Sequence, residues 1–225
     1  PKWMKVAGYW RLGRAGAHHA QGVEEGGQAD GLVLSILLAL GSFLLEAFAA
    51  LPRVDFLPPD QRPFAGRDHP LPIGYGATNS QPWTVRYMLR LLDARPGDRV
   101  LDVGSGSGWT SALLGHLVGP SGSVLGVDVV PELVEMGRAN LAGRLGWVRF
   151  ERARPGVLGW PDAAPFDRIL VSADGGRVPP ELEGQLATGG RMVVPAGHAM
   201  VVVDRTATGL TRTPTGDLFT FVPLV

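Results

Sequence analysis

Cysteine is missing from the 225 residues, which excludes disulfides, thiolate metal sites and a cysteine nucleophile. The lack fits a reducing compartment, and a cytoplasmic location is expected. Net charge is missing too: Lys+Arg and Asp+Glu both number 21. With no basic field, composition gives no ground for a nucleic-acid or anionic-membrane partner. The adjacent pair His18-His19 has no third ligand at metal-binding spacing, so it reads as a solvated pair and no metal site is expected. Turn formers, by contrast, are abundant, with 32 Gly and 19 Pro. Hydrophobic content of 45% is that of a globular chain, long enough for one substantial core or a core plus a small subdomain.

Residues 1–30 mix Lys2, Lys5, Arg11 and Arg14 with Glu24, Glu25 and Asp30 and show little apolar periodicity, so they read as a flexible leader. Gly31 to Leu51 is the most apolar segment, close to the ~20 residues of a membrane span. Glu46 lies inside it and Gly41-Ser42 splits it, which favours buried or capping helices. A signal peptide with Ala47-Phe48-Ala49 as cleavage site is conceivable, but the polar region before it is too long and carries acids. Pro52 to Pro72 reads as Pro-rich and irregular. Ser80 followed by Pro82 predicts a helix start with Ser80 as N-cap, running to about Leu92 and burying Val85, Met88 and Leu89.

From Arg99 onward, strand and helix alternate. Strands are predicted at 99–103, 123–128, 148–152, 166–172, 191–194, 200–205 and 218–224, and helices at 109–118, 131–145 and 180–186. This predicts an α/β fold: a doubly wound, mostly parallel seven-stranded sheet covered on both faces, with an N-terminal helical extension. The last two strands, joined by a short Gly-containing stretch, are expected to be antiparallel. The domain reading is a leader over 1–30, a helical and irregular subdomain over 31–82, and a cofactor-binding domain over 83–225.

Chemistry concentrates where the first predicted strand of that sheet ends. Asp102-Val103-Gly104-Ser105-Gly106-Ser107-Gly108 gives Gly-x-Gly-x-Gly rather than the Gly-x-Gly-x-x-Gly of dinucleotide folds. No Lys-Ser/Thr pair follows, so the loop is not a Walker phosphate loop. Asp102 is placed to accept hydrogen bonds from a cationic amino group. Asp128 closes the next strand, where an acid can accept both ribose hydroxyls. Amino acid, ribose and adenine without phosphate describe S-adenosylmethionine; the plainer reading is a tight turn plus a surface acid.

Here the chain resembles the protein-L-isoaspartate O-methyltransferase family of class I, S-adenosylmethionine-dependent methyltransferases. The likeness rests on Pro70-Leu71-Pro72-Ile73-Gly74, Ala77-Thr78-Asn79-Ser80-Gln81-Pro82 and the Asp102–Gly108 loop. It continues through Ala164-Pro165-Phe166-Asp167, Gly189–Pro195 and Phe221-Val222-Pro223-Leu224, and spans roughly Ser42 to Val225. It implies methyl transfer to the carboxylate of isoaspartyl residues in damaged proteins or peptides. The ester would then collapse to a succinimide that partly reopens as aspartate. It further implies catalytic roles for Ser80, Thr78 and Asn79, cofactor contacts from Asp102, Gly104, Ser105, Gly106, Gly108, Asp128, Val129 and Gly156, and no metal. A monomer without nucleic-acid or membrane partners is expected.

Three positions depart from the family pattern. Asn79 stands where the family usually has Ile, which would alter the acceptor pocket. Arg154-Pro155-Gly156 replaces a Gly-Asp-Gly whose acid faces the adenine, at a cost of about 1 kcal/mol for one lost hydrogen bond. His198-Ala199-Met200 stands where a Gln is expected, and His198 reads as an exposed loop residue. Two alternatives therefore stay open: a carboxyl methyltransferase dedicated to one peptide, and a degenerate, non-catalytic binding module.

Overall fold

Short strands of near-continuous apolar residues, with helices between them, demand a sheet buried on both faces. The computed structural model, which describes residues 43–224, contains that sheet. Five strands run parallel in the spatial order β5 (Val148–Arg152), β4 (Ser123–Asp128), β3 (Arg99–Val103), β6 (Phe166–Val171) and β7 (Leu186–Ala196). An antiparallel meander of β8 (Ala199–Thr206) and β9 (Gly209–Leu218) completes seven strands.

Helix α1 covers residues 43–50, and α2 (Pro82–Leu92), α3 (Trp109–Val118), α4 (Pro131–Leu141) and the short α5 (Pro180–Glu183) follow. The period of two sorts β3 between the two cores. Val100 joins the core containing α2 and α3, while Leu101 and Val103 face the opposite core with Ile169 and Met192. Asp102 therefore points toward α3. Leu44 and Ala47 of α1 are buried against α3, where Phe48 meets Trp109 edge-on at 5.4 Å.

Several sequence expectations need correction. Helix α4 stops at Leu141 instead of 145, because Ala142 and Gly143 turn left-handed at φ 34° and 76°. The last strand is Gly209–Leu218, not 218–224; the closing segment makes one isolated bridge, Asp174 to Pro223. Strand β7 is longer than the predicted 191–194, and the helix at 180 ends at Glu183 rather than 186. Ser80 does not cap α2. The N-cap residue is Gln81, and the Trp83 N–H is accepted by Asp68 Oδ1 at 2.9 Å.

Within the stretch around the irregular Pro-rich region, β1 (Leu71–Gly74) and β2 (Ala77–Asn79) form a hairpin that the sequence reading missed. Tyr75 and Gly76, both at positive φ, make its two-residue turn. The leader at 1–30, His18-His19 and the first part of the apolar segment lie outside the described residues. Among the described residues, no helix is long and apolar enough to cross a membrane.

Candidate active site

Successive crossovers leave β3 and β6 in opposite directions, which opens a crevice beyond their carboxyl ends. A cleft of about 1360 Å³ occupies that position. The loop after β3 forms its floor. The Gly104 and Ser105 N–H groups both donate to the Val127 carbonyl, which ties the loop to the end of β4. Gly106 at φ 52° donates its N–H to Asp128 Oδ2 at 2.9 Å, while Asp128 Oδ1 accepts the Val130 N–H at 3.0 Å. The two oxygens are thus fixed by backbone, and their remaining lone pairs can accept from a ligand diol.

A side chain on Gly106 would press on Ile73 Cδ1, 3.2 Å from its Cβ. Gly108 answers a different need. A Cβ there would meet Phe150 at 2.9 Å and the Gly137 backbone at 3.0 Å, so this glycine lets α3 pack against α4 and β5. It does not line the cleft, and neither does Asp102.

Asp102 is fully buried behind the loop. Its Oδ2 accepts the Ser111 hydroxyl at 2.6 Å and its Oδ1 has no partner among the described residues. Burial pushes its carboxyl up to about 7; the Ser111 bond opposes the shift and the neighbouring Asp128 adds to it.

Of the other sequence-predicted residues, Gly104, Ser105, Gly106, Asp128, Val129 and Gly156 all line the cleft, as do Thr78, Asn79 and Ser80. Pro155 stands beside Gly156 on the same wall. Thr78 is exposed and Ser80 half-buried, with no hydrogen-bond partner for the Ser80 hydroxyl among the described residues. Asn79 is buried, and its amide is engaged: Oδ1 accepts Arg53 Nε at 2.7 Å and Nδ2 donates to Ser107 Oγ at 3.1 Å. His198 is exposed.

Two functional neighbours escaped the sequence reading. Arg53, only 6% exposed, donates to the carbonyls of Arg67, His69, Asn79 and Ser80 at 2.9–3.0 Å and so ties the segment leading into β1 to the end of β2, closing the base of the hairpin. Burial lowers its guanidinium to about 10 while Asp68 pulls it back up, so it stays charged at neutral pH. A lone arginine between Leu51 and Phe56 was the available signal. The second is the aromatic flank, where exposed Trp83 stacks on Tyr87 at 5.3 Å and on Phe219 at 6.1 Å beside the cleft.

The cleft suits S-adenosylmethionine on its own terms. Ser105 Oγ is buried at its floor without a partner among the described residues, Asp128 presents a carboxylate, and two positive-φ glycines keep backbone exposed to a ligand. Among the described residues no three His, Asp or Glu side chains gather as a metal site.

Comparison with known proteins agrees. The family described as "Protein-L-isoaspartate(D-aspartate) O-methyltransferase (PCMT)" matches residues 40–225. A protein-L-isoaspartate O-methyltransferase of Anaeromyxobacter dehalogenans is 46% identical over 187 residues, covering 80% of this chain and 88% of that one. The same enzyme of Aeropyrum pernix is 45% identical over 188 residues, 81% of this chain and 72% of its own. A solved protein-L-isoaspartate O-methyltransferase superposes with a TM-score of 0.72 at 26% identity, covering 84% of this chain; the chain spans 64% of that protein's length. The fold is shared with the Plasmodium falciparum PCMT crystallised with S-adenosyl-L-homocysteine, at TM-score 0.72 and 21% identity.

Proposed function

Because the chain belongs to the protein-L-isoaspartate(D-aspartate) O-methyltransferase family, we propose that it methylates isoaspartyl carboxylates in damaged proteins or peptides, using S-adenosylmethionine. The observation that carries this reading is one continuous cleft with Asp128 and the glycine loop on one side and Thr78 and Ser80 on the other. When bound, S-adenosylmethionine supplies a methyl group on a sulfonium. Gly104, Ser105, Gly106, Asp128, Val129 and Gly156 hold it, with Asp102 and Gly108 shaping the loop from behind.

The acceptor carboxylate has a pKa near ~4 and is ionised at neutral pH, so no strong general base is needed. This chain's contribution is alignment, a source of up to ~7–11 kcal/mol, together with exclusion of water from the acceptor oxygen. The free hydroxyl of Ser80 orients that oxygen, and the exposed Thr78 hydroxyl assists. Asn79 acts through its neighbours instead. Its amide is bonded to Arg53 and Ser107, which speaks against Asn79 itself reshaping the acceptor pocket for one dedicated peptide. Of the residues lining the cleft, Pro70 and those from Tyr75 to Gln81 form the acceptor side, and the glycine loop, Asp128, Val129 and Gly156 the cofactor side.

We also read the chain as a cytoplasmic monomer. No cysteine needs an oxidising compartment, and the outer strand β9 is blunted by Arg212, Pro214 and Asp217.

Methyl transfer to an isoaspartyl peptide but not to its aspartyl twin tests the acceptor. Ser80→Ala is expected to lower kcat about tenfold or more, the worth of one hydrogen bond to a charged group. Undiminished turnover would remove Ser80 from the reaction. Failure to bind S-adenosylhomocysteine at millimolar concentration would favour the degenerate module suggested by Pro155.

A further inference from the structure

We propose that Asn79 tethers the acceptor segment to the glycine loop, so that filling the cofactor side orders the backbone at Ser80. The inference rests on the methyl transfer proposed above and concerns how the two halves of that site are held together.

Among the described residues, a single hydrogen bond crosses from the β1–β2 hairpin to the glycine loop: Asn79 Nδ2 to Ser107 Oγ, at 3.1 Å. Ser107 follows Gly106, whose N–H holds the Asp128 carboxylate. At the other end, Asn79 Oδ1 accepts Arg53 Nε at 2.7 Å, and the same guanidinium donates to the Asn79 and Ser80 carbonyls. The path from the Ser80 backbone to the ribose-side acid is therefore unbroken.

Its direction is also fixed. Arginine has only donors, so Oδ1 must face Arg53, and Nδ2 then faces a Ser107 hydroxyl that must accept. Asn79 and Ser107 are 5% and 2% exposed, so water does not compete for the bond. An apolar side chain of similar size would fill this space but transmit no such constraint. Ile73 also stands against Gly106, a contact that is not directional.

Hydrogen exchange on the whole chain, with and without S-adenosylhomocysteine, tests the tether. In the native protein the ligand is expected to slow exchange both at residues 104–107 and at residues 77–80. In Asn79→Leu and in Ser107→Ala the slowing at 104–107 persists, and that at 77–80 is lost, a change of about threefold to tenfold. Ser107→Ala keeps the test alive should Asn79→Leu, which strands a buried Arg53 donor, fail to fold. Slowing at 77–80 that survives in Ser107→Ala, or is absent from the native protein, overturns the tether.

Turnover on an isoaspartyl peptide separates the two readings. Ser107→Ala is expected to lower kcat about threefold to tenfold with KM changed less than about twofold. A native protein that protects 77–80 yet methylates no peptide retains the tether and loses the acceptor assignment.

Discussion

Asp102 and Asp174 are carboxylates that solvent exclusion pushes upward, with opposite outcomes. Asp174 accepts the N–H groups of Gly176, Gly197 and His198, and these bonds outweigh its burial and hold it below the ordinary range. Asp102 has one hydroxyl donor and a second acid nearby, so burial wins and its carboxyl rises from 3.8 to about 7. The folded state then holds a proton that the unfolded chain has released. Stability from this source is complete below pH 3.8, falls as pH rises through about 7, and is gone above it. Some three units correspond to at most about 4 kcal/mol. Asp102→Asn keeps an oxygen for Ser111 and removes the titration. Urea unfolding of both proteins at pH 5 and pH 8 is expected to show the native chain losing stability relative to the variant at the higher pH. Parallel pH curves for the two proteins would refute this origin. Asp174 acts in a separate window, on the acid side, where its contribution is lost as pH falls through its lowered pKa.

At the scale of elements, helix α2 is started by a residue fifteen positions before the N–H that it accepts. Asp68 accepts the Trp83 N–H and sits near the positive end of the helix, so Asp68→Ala is expected to cost about 1 kcal/mol in urea unfolding, and Asp68→Asn less. Equal losses from both substitutions would exclude the neutral hydrogen bond as a contributor and leave the charge alone responsible. Such a cap could not be read from the sequence, because Ser80-Gln81-Pro82 offers a local candidate and Asp68 is brought in only by folding. Arg53 escaped for the same reason, since its four carbonyl partners lie 14 to 27 residues away. By contrast β3, β4 and α3 were legible, because a fully buried strand and a helix packed on it leave continuous apolar runs. The far sheet edge was misread on the same logic. Phe219 and Phe221 alternate as a strand would but pack on each other beside the cleft, while β9, polar along nearly all its length, buries no face and so shows no period of two.

At the scale of the molecule, the switch between β3 and β6 accounts for the cleft, and the loop chemistry decides what fills it. The glycine loop, Asp128 and Ser105 were readable in sequence because they are consecutive or close strand-end positions; their union with Ser80 required the hairpin that Arg53 holds. A ligand that binds only this assembled cleft must stabilise the whole fold. At a hundredfold excess over its dissociation constant the gain is about 2.7 kcal/mol, or roughly 5–10 °C in Tm for a chain of this size. S-adenosylhomocysteine is therefore expected to raise Tm by that amount, and NAD to leave it unchanged, because the loop has neither the dinucleotide glycine spacing nor a phosphate-binding lysine. A larger shift with NAD would reverse the cofactor assignment. Pro155→Asp gives the same melt a second use. If the adenine wall lacks only an acceptor there, the variant reaches the same Tm at about fivefold to tenfold lower S-adenosylhomocysteine, the worth of one recovered hydrogen bond. An unchanged concentration dependence would mean that the wall around Gly156 holds the ligand without one.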